Sequence, residues 1–399
     1  MLQDVKAQQD YTKLNLRTFY FLTFLGIGAL NPLLPVYLDE TIGLSGAQIG
    51  LIMSLSPVVM IVIQPMWGLL SDWTQKPRLL LTIATLLTSL IGIVYSFANV
   101  YVSLIIVAIT LSMVQSAMIP ISDSITLNYV QKTRGNYGSF RLWGAIGFAV
   151  AVIIAGRMAE TFGNSVIFYI FSAVLFIAAL FSFRLPEESQ QSVQTSMFTG
   201  IKSLRKQKKY MLFLFTTFLI LGPILANNSY FGLFVKDIGG TLTGIGLAFL
   251  FAAGSEAPFM QFANRFIQKL GMMKVLLIAA LISMVRWYFY YFEPSLVLVY
   301  ATTIAQGFSV GLFIPAALQY VRDIAPKEVR VTAISIYSAV GNGLGSWFCI
   351  YVGGLLLEWF SIQMVYLFYG MLTSIGIVSL VIISRLERNE SKSLLEEVS

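Results

Sequence analysis

The chain has 399 residues, 57% of them hydrophobic and 11% charged, with a mean hydropathy of +0.78 and a formal net charge of +7. Soluble domains carry about 25% charged residues, so this composition excludes an ordinary soluble globular protein and predicts an integral membrane protein. Histidine is absent and Cys349 is the single cysteine, which excludes an intrachain disulfide and any cysteine-based metal site. No metal and no cofactor are expected, and proton handling falls to carboxylates with help from tyrosine or water.

The polar stretch Met1 to Lys13 precedes a first apolar run, 18–38, that is too long for the core of a signal peptide and lacks a small-residue cleavage site, so no cleaved leader is expected. A helix needs about 17–25 mostly apolar residues to cross a bilayer. The chain offers twelve such segments: 18–38, 47–70, 79–97, 101–127, 138–159, 165–183, 210–235, 244–266, 274–292, 296–318, 332–357 and 362–384. The first span carries Asn31-Pro32-Leu33-Leu34-Pro35. The second holds Gln64 and ends on Gly68 and Asp72, with Lys76 and Arg78 just beyond. Along the fourth, Ser112, Gln115, Ser116, Ser122, Asp123 and Thr126 form a rough polar stripe at helical spacing beside Pro120, a face that lipid would not tolerate. Arg141 opens the fifth span, ahead of Gly144 and Gly156. The seventh carries Asn227 and Asn228, the eighth Glu256 between Gly254 and Pro258, and the ninth Arg286 followed by Trp287, Tyr288, Tyr290 and Tyr291. Gln306 lies in the tenth, and Gly341, Asn342, Gly343 and Gly345 in the eleventh.

Of the 26 Lys and Arg, 22 fall in alternate connecting segments, among them Lys76, Arg78, Lys132, Arg134, Lys202 to Lys209, Lys269, Lys274, Arg322, Lys327 and Arg385. This asymmetry is the positive-inside pattern, and it places both termini in the cytoplasm. It also accounts for the net positive charge without a nucleic-acid partner. The stretch 184–209 is polar and basic and divides the spans six and six. The fold class predicted is therefore an all-α membrane protein: twelve transmembrane helices in two pseudo-symmetric six-helix bundles, 1–183 and 210–385, joined by a cytoplasmic linker at 184–209 and followed by a tail at 386–399. A faint internal repeat agrees, with Gly144 and Gly156 recurring as Gly341 and Gly353, and Gln64 and Asp72 aligning with Glu256 and Asn264.

Charges inside spans are the sharpest functional signal, because an ion facing lipid costs roughly 2.5–3.5 kcal/mol on insertion scales and therefore seeks a partner or water. Asp123 with Arg141, and Glu256 with Arg286, are two opposite-charge combinations, one in each half. Each reads either as a structural ion bridge or as part of a solute pathway. A carboxylate as deep as Glu256 can exchange a proton, as a coupled carrier requires. Asn227, Asn228 and Gln306 suit interhelical hydrogen bonding as well as ligand binding. The aromatic run after Arg286 reads mostly as an interfacial belt, with Trp287 alternatively flanking a solute ring.

The stretch Gln64-Pro65-Met66-Trp67-Gly68-Leu69-Leu70-Ser71-Asp72, then Lys76 and Arg78, resembles the loop signature of the major facilitator superfamily, with Trp73 where a basic residue is usual and Gln75 where a glycine is usual. Gly68 is expected to permit close helix contact, and Asp72, Lys76 and Arg78 to belong to a cytoplasmic gate. Over nearly its whole length the chain is similar to the branch that holds the lactose permease-like and phenylpropionate permease-like proton symporters. The Pro32–Pro35 element and the 18-residue interval from Asp123 to Arg141 carry that similarity. So do Leu142-Trp143-Gly144-Ala145-Ile146-Gly147-Phe148, Glu256 with Pro258, and Arg286. The resemblance implies that Asp123 and Arg141 bind a sugar-like solute and that Phe148 stands where those symporters stack a tryptophan on it. Helix ten departs from it: Gly311-Leu312-Phe313-Ile314-Pro315 has no histidine–glutamate pair.

These readings converge on a membrane transporter and not an enzyme. The expected activity is proton-coupled uptake of a small polar organic solute, sugar-like or else a nucleoside or aromatic acid, by alternating access in the cell membrane. Its partners are the solute, protons and the lipid bilayer, and it is expected to work as a monomer. Asp123, Arg141, Phe148, Asn227 and Asn228 are the expected solute contacts, with Glu256 and Arg286 coupling the proton. The alternatives are a proton-driven exporter of lipophilic compounds, disfavoured because Gly144 to Gly156 contains no proline, and a sensor that binds without transporting.

Overall fold

The computed structural model describes residues 2–133, 136–187, 204–205, 207–326 and 329–398, with side chains described from 10 to 389 except at 331. Most of the expected linker, 188–203 and 206, lies outside the described residues, as do Arg134, Lys327 and Ser399. Helices account for nearly all of what is described, and no strand occurs among the described residues. The order is α1 (Leu2–Leu30), α2 (Leu34–Glu40), α3 (Gly46–Thr74), α4 (Pro77–Ser96), α5 (Tyr101–Gln115), α6 (Met118–Thr133), α7 (Gly138–Phe162), α8 (Val166–Ser182), α9 (Lys208–Asp237), α10 (Leu242–Leu270), α11 (Met272–Tyr291), α12 (Leu296–Ile324), α13 (Arg330–Ser338), a π-helical segment (Ala339–Gly345), α14 (Ser346–Trp359) and α15 (Ile362–Val398). Among these, 11 continuous or nearly continuous helices are long and apolar enough to cross a membrane, and Val166–Ser182 is a shorter apolar helix. All twelve expected spans are therefore present as helices.

Local chemistry explains the interruptions. The first span breaks at Asn31–Leu33, where Pro32 lacks a donor, and α2 restarts with Pro35 in its first turn, a position where a missing N–H costs nothing. The fourth span breaks at Ser116–Ala117, and Pro120 again falls in the first turn of the new helix, α6. In contrast, Pro57, Pro65, Pro223, Pro258 and Pro315 sit within continuous helices. The eleventh span, expected as one helix, contains the π-helical segment at Ala339-Val340-Gly341-Asn342-Gly343-Leu344-Gly345, where three glycines let the turn widen.

The chain forms two compact units: Met1–Val193 with Asn228–Leu250, and Gln194–Asn227 with Phe251–Ser399. In the first, α1 runs along α7. A Cβ at Gly28 would meet the Phe148 backbone oxygen at 2.7 Å, and one at Gly144 would meet the Phe24 ring at 2.7 Å, so only glycine allows this approach. α4 lies along α8, tied by Ser89 Oγ donating to the Ser172 carbonyl (2.8 Å) and by a Thr82–Ser182 hydroxyl pair (2.6 Å). One end of this unit is clasped by polar groups. Lys236 Nζ lies 2.9 Å from Glu40, Asn164 donates to the Glu40 carboxylate (3.2 Å), and Glu160 accepts from both the Thr243 N–H (2.8 Å) and its hydroxyl (2.7 Å).

In the second unit, a Cβ at Gly341 would meet Leu221 at 2.6 Å, so the π-helical segment presses on α9 as Gly144 presses on α1. The repeat that pairs these two glycines thus corresponds to the same packing job, each closing on the first helix of its half. A hydroxyl pair, Thr216–Ser379 (2.7 Å), joins α9 to α15, and Ser283–Ser309 (2.5 Å) joins α11 to α12.

Candidate solute-binding site

In the first unit α6 presents Asp123 and α7 presents Arg141 to the same place, and α1 supplies the floor beneath them. Tyr20 donates from its phenol to Asp123 Oδ1 at 2.5 Å. Arg141 Nη1 stands 3.6 Å from that same oxygen, an ionic contact too long for a hydrogen bond, and Nη1 is buried without a hydrogen-bond partner among the described residues. The Arg141 guanidinium lies over the Phe24 ring at 4.7 Å, and Tyr20 and Phe24, one helical turn apart, stack nearly parallel at 6.4 Å. The side chains stay partly open, Asp123 at 25% and Arg141 at 41% relative exposure. Tyr137, just ahead of α7 and one turn before Arg141, also faces Asp123. Burial first, and then the neighbouring carboxylate, push its phenol up to about 12.

The rest of the polar stripe behaves differently. Ser112, Ser116, Ser122 and Thr126 are buried. The hydroxyls of Ser116, Ser122 and Thr126 donate to carbonyls of their own helix turn, at 2.8, 2.9 and 2.8 Å. Asp123, by contrast, bonds across to α1 and not to its own helix. Phe148 is half-buried on α7 and meets Phe249 edge-on at 6.0 Å.

The second unit corrects one expectation. Glu256 and Arg286 do not pair. Arg286, only 3% exposed, donates from Nη2 to Gln306 Oε1 (2.7 Å) and from Nε to the Tyr290 hydroxyl (3.1 Å), and lies over the rings of Trp287 (4.6 Å) and Tyr290 (5.1 Å). Glu256 is half-buried and has no hydrogen bond or ion pair among the described residues. Gln306 on α12 takes the guanidinium instead. α12 also crosses α10 closely at the next residue, where a Cβ at Gly307 would fall 2.5 Å from the Glu256 backbone nitrogen. A neutral amide satisfies Arg286 without desolvating a second charge.

Trp287 and Tyr290 are likewise not an interfacial belt. Trp287 is 1% exposed, stacked on Tyr366 at 5.9 Å, and its indole N–H is buried with no partner. Asn227, fully buried, accepts from Tyr366 (3.2 Å) and keeps an unsatisfied Nδ2, whereas Asn228 is exposed.

At the expected gate, a Cβ on Gly68 would meet nothing within 4 Å, so this glycine serves no close helix contact. Gln75 stands in the left-handed conformation (φ 54°) that ends α3, where glycine is at ease. Its side-chain amide compensates by donating to the Asp72 carbonyl at 2.5 Å. The Asp72 carboxylate has no partner among the described residues, Lys76 is exposed, and Arg78 pairs with Glu187 at 3.0 Å.

Tyr20, Phe24 and Tyr137 escaped the sequence reading, although their one-turn spacings (Tyr20 to Phe24, Tyr137 to Arg141) were a readable signal of a shared face. Gln306 suits either role by sequence, and its observed bond to Arg286 is interhelical.

Residues 13–368 match the MFS_1 like family. The chain belongs to that family. It is therefore a multi-pass membrane transporter of the major facilitator type, a family of carriers and not of enzymes. Among similar proteins, the maltose permease of Geobacillus stearothermophilus is 51% identical over 93% of this chain and 94% of its own length. A probable 3-phenylpropionic acid transporter of Escherichia coli is 24% identical over 81% of this chain and 86% of its own length. A crystal structure of a variant of the nucleoside transporter NupG superposes with a TM-score of 0.86 at 18% identity, covering 93% of this chain and 99% of that one, which shows a shared fold. For this family member, the Asp123–Arg141 cluster places an unspent buried donor next to an accessible carboxylate in the first unit.

Proposed function

We propose that this transporter imports a small hydroxylated solute of the maltose class together with protons, by alternating access across the cell membrane. In this reading both termini are cytoplasmic, the bundles 1–183 and 210–385 are the moving parts linked by 184–209, and the chain works as a monomer. Gly68, Asp72, Lys76 and Arg78 mark the cytoplasmic gate. Asp123 accepts from, and Arg141 donates to, solute hydroxyls, with Phe148 and Asn228 completing the contacts. Glu256, a carboxylate without a protein partner inside a span, carries the proton, and Arg286 is a fixed cation in the same unit.

The observation that carries this reading is Arg141 Nη1: buried, charged and without a hydrogen bond, it stands beside a carboxylate that remains accessible. Such a donor calls for an acceptor supplied from outside the protein, because a buried unsatisfied donor costs about 1–3 kcal/mol. The similarity to a maltose permease supports the solute class.

The test is uptake of labelled maltose into proteoliposomes under an inward proton gradient, with external pH recorded. Wild-type protein should accumulate maltose and alkalinise the medium. Asp123→Asn should lower uptake about tenfold or more, the scale of one lost charge-assisted hydrogen bond. Glu256→Gln should retain maltose counterflow but lose accumulation. Proton movement unchanged in Glu256→Gln would remove the coupling role, and absence of maltose counterflow in the wild type would remove the solute class.

A further inference from the structure

A carboxylate and a guanidinium free to approach close to about 2.7–2.9 Å, usually through two parallel hydrogen bonds. Asp123 and Arg141 stop at 3.6 Å although they share a part-open space. Two features hold them apart. Tyr20 donates at 2.5 Å to the very oxygen that Arg141 Nη1 approaches, so the carboxylate is drawn toward α1. Phe24 lies beneath the guanidinium at 4.7 Å, fixing its plane through the favourable contact of a cation with a ring face. Both residues come from α1, whose approach to α7 is set by Gly144 against Phe24. The groups facing Asp123 are thus Tyr20 from α1, Tyr137 from the turn before α7 and Arg141 from α7 itself.

Resting on the reading of Asp123 and Arg141 as solute contacts, we infer that Tyr20 is a positioning residue that keeps this ion pair open. A solute hydroxyl enters the gap, accepts from Arg141 Nη1 and donates to the Asp123 carboxylate, while Tyr20 retains its own bond to Oδ1. Without the Tyr20 hydroxyl, the carboxylate is released to close on Arg141. Each solute hydroxyl must then break a finished ion pair before it can bind. Tyr20 also restricts what binds: the gap admits a group that is donor and acceptor at once, which describes a sugar hydroxyl and not an ether or a methyl group.

The experiment is calorimetric maltose binding to purified full-length protein, comparing wild type, Tyr20→Phe, Arg141→Gln and the double variant, with thermal melting recorded for each. Wild-type binding establishes the solute class independently of Tyr20, and its absence overturns that class and this inference with it. Given wild-type binding, Tyr20→Phe should weaken affinity about ten- to a hundredfold, the equivalent of one hydrogen bond to a charged group. In the Arg141→Gln background, where no ion pair can close, the same substitution should change the remaining affinity less than about threefold. A merely structural Tyr20 would multiply its loss onto that of Arg141→Gln, and that result overturns the positioning role, as does unchanged affinity in Tyr20→Phe. If Tyr20→Phe does not fold, Phe24→Leu tests the same open pair: a loss of about threefold that disappears in the Arg141→Gln background supports it, and a loss that persists there overturns it.

Discussion

Gln306→Leu addresses the most exposed weakness in the second unit, a buried cation with no counter-ion among the described residues. Gln306 Oε1 is the acceptor for Arg286 Nη2 at 2.7 Å, and Arg286 is 3% exposed, so water does not replace the lost partner. A hydrogen bond to a charged group contributes about 1.5–3 kcal/mol, and its loss shifts the rotamer equilibrium of Arg286 by roughly ten- to a hundredfold. The released guanidinium is then free to turn toward Glu256, which has no partner among the described residues and whose backbone nitrogen would lie 2.5 Å from a Cβ placed on Gly307, the residue after Gln306. A Glu256 engaged in an ion pair is no longer available as the free carboxylate of the proton pathway. In proteoliposomes Gln306→Leu should therefore exchange maltose by counterflow yet fail to accumulate it under a proton gradient, and it should melt several degrees below wild type in detergent. Gln306→Glu, which keeps an acceptor at that position, should restore the melting temperature. Accumulation and melting both unchanged in Gln306→Leu would refute the reasoning, because Arg286 would then not depend on this bond.

Glu160→Ala removes both acceptors that cap the first turn of α10 at Thr243, a loss of about 1–2 kcal/mol for a capping interaction; melting should fall while maltose affinity stays constant, since no solute contact is touched. Trp287→Phe deletes an indole N–H that has no partner, so its packing loss is offset by removal of an unsatisfied donor, and the melting temperature should stay close to wild type. Tyr137→Phe should weaken maltose binding by the same factor at pH 6 and pH 9. A phenol pushed up to about 12 remains a neutral donor between pH 6 and pH 9, so Tyr137 itself does not titrate in this window; a factor that changes between the two would contradict it.

The number of spans and their type were legible because the cost of burying polar backbone in lipid forces long apolar helices, whatever their neighbours. Asp123 and Arg141 were legible as partners because both stand out as charges on adjacent spans. The same argument failed for Glu256 and Arg286. Two opposite charges at similar depth were available, but the guanidinium bonds to Gln306 and to the Tyr290 hydroxyl instead. Gly68 shows a similar limit, since a glycine in an apolar helix implies a close neighbour only if some helix lies there, and none does.

By itself, then, the amino-acid order determined that this chain crosses a membrane many times and which few ionic side chains are costly enough to need a purpose. Tertiary structure alone decided which group each of those ions meets. Hydropathy reports how deep a residue sits, whereas partner choice depends on the rotation of each helix about its axis and on which small residues let two backbones come close. That is why Tyr20, an unremarked aromatic in an apolar run, proves to be the group closest to Asp123.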